Sequence, residues 1–190
     1  MSNMPAMLAY TIQGGIHSNG IPRIVIGQGP NKQWLKPNAP VDDSYWIVIL
    51  DSKNPGTKVQ EFVVPGSSNS AVPSGLDQYM SNPAYLFAVV TQYLSTLHVP
   101  QGDFYDYLTA YGAGRELQKL EQINTSLGCG VITYMSYALT GQCGAKNGVA
   151  YERGSSSSAV MMLMSLMPGP SGQPPYSLCD TNTFLTRRAG

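Results

Sequence analysis

The sequence predicts an α+β fold: a β-rich, sandwich-like core with two or three short helices and extended N- and C-terminal segments. Three observations carry this. Short runs of β-branched and aromatic residues are bounded by turn residues. Twenty glycines and 14 prolines punctuate the 190 residues. Only two long stretches repeat apolar residues at helical spacing. With 43% hydrophobic residues, the chain can bury one real core.

The elements follow in order. Leu8 to Ile12 and Arg23 to Ile26 read as short strands, separated by the turn signals Gly14-Gly15 and Asn19-Gly20. Two prolines in residues 36–40 forbid a central strand there. Ser44 to Leu50 is the clearest strand, and it ends at the turn Asp51-Ser52-Lys53-Asn54-Pro55-Gly56. Lys58 to Val64 completes a β-hairpin with it. Residues 66–75 are a Ser/Asn/Pro-rich loop, and Leu76 to Met80 is one helical turn.

Tyr85 to Thr91 is an apolar run of strand length, and Gln92 to Leu97 reads either way. Phe104, Tyr107, Leu108 and Tyr111 fall at i, i+3, i+4 and i+7, which marks one face of a helix over Asp103 to Tyr111. Gly112 ends it. Leu117, Leu120, Ile123 and Leu127 support a second helix from Arg115 to Leu127, stopped by Gly128. Gly130 to Thr140 is a strand. Ala159 to Met167 is apolar except for Ser165, and its length and Pro168-Gly169-Pro170 stop favour a buried strand over a helix.

Charge narrows the functional classes. Eleven basic and eleven acidic residues give zero net charge, and charged residues are 12% of the chain, about half the roughly 25% of ordinary soluble domains. Nucleic acid is not expected as a partner, because neutralising phosphates requires a basic surplus. No apolar run reaches the roughly 18 residues of a membrane span. No positive start precedes an apolar run, so no export signal is legible. Localisation stays unassigned, and a virion or other extracellular assembly is compatible with the reading.

Motifs for chemistry are scarce. Cys129, Cys143 and Cys179 contain no CxxC, and His17 and His98 are the two histidines. Neither a metal site nor a cofactor is expected. Cys129 and Cys143 flank a strand and are a disulfide candidate; three buried reduced thiols are the other reading. A nucleophile requires a neighbouring base, and Cys129 or Cys143 with His98 is the pairing to consider. Asp103 and Asp106 are three apart, and their ordinary reading is charge near a helix N-terminus. Aromatic rings with a polar edge serve either core or contact surfaces. Trp34, Tyr105 and Tyr111 are the candidate binding residues.

Residues 45–168 resemble the interleukin-like EMT inducer/PANDER-like domain. The likeness lies in element order and short motifs. These are Tyr45 to Asp51, Tyr85 to Thr91, the helix ending Leu127-Gly128, Tyr134-Met135-Ser136-Tyr137, Gly141 and Gly144, Glu152, and the strand Ala159 to Leu166. Residues 92–114 read as an insertion, and three cysteines cannot reproduce the disulfide framework of secreted members. The resemblance implies a compact β-sandwich-like fold without catalysis, in a family of secreted signalling proteins and one sugar-binding stem domain. Residues 1–44 are then an extended segment packing on that domain, and 169–190 a C-terminal tail.

The expected function is a non-catalytic structural or assembly subunit, as in a virion or phage tail, joined to other protein subunits as a homo- or hetero-oligomer. Low charge suits burial of much surface, since desolvating charges is costly. The alternative is a carbohydrate-binding module or a secreted-type recognition protein with a glycan partner.

Overall fold

The computed structural model describes residues 7–16, 20–127, 134–144, 146, 148–170 and 172–180. The strands are β1 (Leu8–Gln13), β2 (Arg23–Ile26), β3 (Gln33–Leu35), β4 (Ser44–Asp51), β5 (Lys58–Pro65), β6 (Tyr85–Gln92), β7 (Leu94–Ser95), β8 (Tyr134–Gln142), β9 (Ala150–Ser155), β10 (Met161–Pro168) and β11 (Tyr176–Asp180). The helices are α1 (Asp77–Met80), α2 (Gly102–Ala110) and α3 (Arg115–Leu127).

The strands form two antiparallel sheets. The first has the order β11-β10-β1-β2-β3. In the second, β5-β4-β6-β8 is the main path, and β9 pairs with β8. Strand β7 prolongs β6 along β8 after a change of register at Tyr93, which has a φ of 46°. The expected hairpin is β4–β5, with Ser44 opposite Pro65 and Ile49 opposite Gln60.

Alternation along β4 explains the layering. Trp46, Val48 and Leu50 enter the core between the sheets, with Tyr10, Ile12, Ile24, Met162 and Leu166. Tyr45, Ile47 and Ile49 enter a second core, with Phe104 and Leu108 of α2 and Leu117 and Leu120 of α3. The second sheet is thus the middle layer, covered by the first sheet on one side and by helices on the other. Strands buried on both faces read as continuous apolar runs, as β4 and β6 do.

Leu8 to Ile12 and Arg23 to Ile26 are strands close to where the sequence places them, and with β3 they give three strands to the first sheet. Gly14-Gly15, expected as a turn, is instead a link between the sheets, with Gly15 in a bridge to Gln92. Gly14 N–H donates to Val160 O, and Gly15 N–H donates to Thr91 O, both at 3.0 Å. A Cβ on Gly15 would lie 1.6 Å from Gly20 O, so glycine is required there. The C-terminal segment likewise adds β11 beside β10.

Candidate interaction face

Strand β10 is a strand as expected, but it is buried on one face only. Met162, Met164 and Leu166 point into the core, while Met161 and Leu163 are 46% and 65% exposed. The sequence could not show this, because both faces of β10 are apolar. Cross-strand register extends the outward side. Leu163 lies opposite Thr11, Thr11 opposite Val25, and Val25 opposite Trp34. A row of four residues therefore crosses β10, β1, β2 and β3.

Neighbouring rows are equally poor in charge. Met161, Gln13 and Arg23 form one, and Cys179, Ser165 and Ala9 another. Arg23 is the single formally charged residue at the outward positions of these five strands. The core-forming residues of the three helices pack on the second sheet, so this face is directed away from them.

Trp34 sits at the margin, on edge strand β3, and is 52% exposed. Arg23 Cζ and Lys32 Nζ stand 5.3 and 5.1 Å from the centroid of its ring, within cation–π range. Arg23 Nε–H donates to Gln13 Oε1 at 2.6 Å, which fixes the guanidinium.

The other residues singled out from sequence are placed differently. Tyr111, a candidate binding aromatic, is a core residue at 3% exposure, edge-on to Phe87 at 6.2 Å. It offers no free ring face. Tyr105 is half-buried against the same core. Cys143 is a buried free thiol, 4.0 Å from the sulfur of Met80. Burial pushes that thiol up to about 12, so it carries little thiolate at neutral pH. Cys129 and His17 lie outside the described residues, and with Cys129 the proposed disulfide.

Cys143 and His98 do not meet. Cys143 N–H bonds to Tyr85 O at the start of β6, while His98 lies beyond that strand's other end. Instead His98 Nδ1 stands 2.7 Å from Asp43 Oδ2. Asp43 Oδ1 also accepts the Ser95 N–H at 2.9 Å, and the Tyr45 hydroxyl donates to His98 O. The imidazole thus serves a junction between the β3–β4 connection and the β7–α2 connection. Among the described residues, no three His, Cys, Asp or Glu side chains gather as metal ligands, and no helix is long and apolar enough to cross a membrane.

Neither a protein-family model nor a curated protein matches this sequence.

Proposed function

We propose that this chain is a non-catalytic assembly subunit, joined through the outward face of its first sheet to copies of itself or to sister subunits, as in a virion or tail. The observation that carries the reading is the Leu163–Thr11–Val25 part of the outward row, which leaves Trp34 at its margin. Exposed Met161 and Leu163 on that face gain free energy when a partner removes them from water. The near absence of charge keeps the desolvation cost of such a contact low. The Asp43–His98 pair and the buried Cys143 are both held in structural contacts. Residues 45–168 resemble a domain whose members act by recognition, which points the same way.

The test is mass in solution. Light scattering after size exclusion should give a species larger than the 20.4 kDa chain. Leu163→Glu and Met161→Lys should shift it towards the monomer with an unchanged Tm. A wild-type chain that stays monomeric at high concentration would refute self-assembly through this face.

A further inference from the structure

We propose that the hollow beside Trp34 binds an acidic saccharide, a sugar ring bearing a carboxylate or a sulfate. The hollow measures about 370 Å³, the scale of a small-ligand site, and lies where the β1–β2 connection meets the edge of β3. Ile21, Leu35 and Trp34 give it apolar walls, and Arg23, Lys36 and Gln13 give it polar ones. No acid lines it. In a chain with equal numbers of acids and bases, three cations (Arg23, Lys32 and Lys36) therefore gather here without a compensating carboxylate in the wall. None of the three makes an ion pair among the described residues.

Each wall has a defined role. The guanidinium of Arg23 is anchored through Nε to Gln13. Its two Nη groups make no hydrogen bond among the described residues, and that pair of donors suits a carboxylate or sulfate. The carbonyl of Lys36 accepts from Lys58 Nζ at 3.3 Å, which ties that wall to β5. Exposed indole together with Ile21 supplies the apolar contact that the C–H face of a sugar ring requires. Uncharged sugars would leave the cations unanswered, and a purely inorganic anion would leave the indole unused. The site lies beyond the apolar centre of the assembly face and outside the region resembling a known domain.

Two tryptophans occur in the chain, and Trp46 is buried, so a fluorescence change on ligand addition reports Trp34. The probes are tetragalacturonate, a sulfated galactose tetrasaccharide, the neutral galactose tetrasaccharide and a tetraglutamate peptide. The acidic sugars should quench or shift the emission and give heat in calorimetry, more weakly at high salt. Affinity should exceed that of the neutral sugar by about tenfold or more, equivalent to about 1.4 kcal/mol. Arg23→Gln and Trp34→Phe should each lower it about tenfold with the melting temperature held.

Equal binding of the neutral sugar, binding of the peptide alone, or no binding by any probe overturns the proposal, as does an unaffected Arg23→Gln variant. The same samples report assembly independently. A monomer that binds acidic sugars refutes only the self-assembly reading. An oligomer that binds none refutes only this one.

Discussion

Glu152 on β9 accepts the Tyr137 hydroxyl from the adjacent strand β8 at 2.9 Å. The same carboxylate accepts the backbone N–H groups of Glu116 and Leu117, at 2.8 and 3.3 Å, in the first turn of α3. Those N–H groups have no partner within the helix, so a residue distant in sequence caps it. Burial first, and then the Glu152 charge, push the Tyr137 hydroxyl well above its usual range. Tyr137 is therefore a fixed donor that holds the Glu152 carboxylate in place at the first turn of α3.

Glu152→Ala should destabilise the protein by about 1–3 kcal/mol, the effect of losing a cap and leaving buried donors unmet. Tyr137→Phe should cost about 1 kcal/mol. Urea unfolding measures both. An unchanged midpoint for Glu152→Ala would show that water replaces the carboxylate.

Asp43 occupies the left-handed region with φ of 54° while its carboxylate holds Ser95 N–H and His98. Asparagine tolerates that backbone and keeps an acceptor, whereas alanine does neither. Asp43→Ala should lower stability by about 1–3 kcal/mol and Asp43→Asn by less than half of that. Equal losses in thermal melts would mean that backbone conformation is irrelevant at this position.

Acid should weaken the junction of β4 with β5. Burial alone would raise the Glu61 carboxyl, but bonds from Lys58, the Trp46 indole and the Asn38 N–H hold it below its ordinary value of 4.5. A depressed carboxyl contributes stability above the unfolded value, and that contribution is lost as pH falls through the folded one. Glu61→Gln should therefore be less stable than wild type at neutral pH, and the gap should close below pH 4.5. A gap that stays constant across acid pH would contradict the assignment.

Thiol chemistry supplies an alkaline counterpart. With the Cys143 thiol raised from 9.0 to about 12, the folded form keeps its proton while the unfolded form ionises. Its contribution is full below pH 9 and declines between 9 and 12. Peptide mapping after brief alkylation of the native protein near neutral pH should find Cys179, which is half-buried, modified well before Cys143. Equal labelling of the two would show an open core.

By itself, the sequence determined the elements whose local pattern is unambiguous. The β4–β5 hairpin, β6 and both long helices lie close to where periodicity and turn residues put them, since their burial repeats at the period of their own backbone. It also nominated Trp34. It did not give β3, β9 or β11, which are short or lack a run of strand-forming residues and are held by pairing with distant partners. Nor could it separate β10 from a fully buried strand, because an apolar side chain reads the same whether the next layer is protein or water. The layer order, the exposure of Leu163, the capping of α3 by Glu152 and the Asp43–His98 contact were decided by tertiary structure. Each depends on residues far apart in the chain, whose meeting is set by which faces pack together.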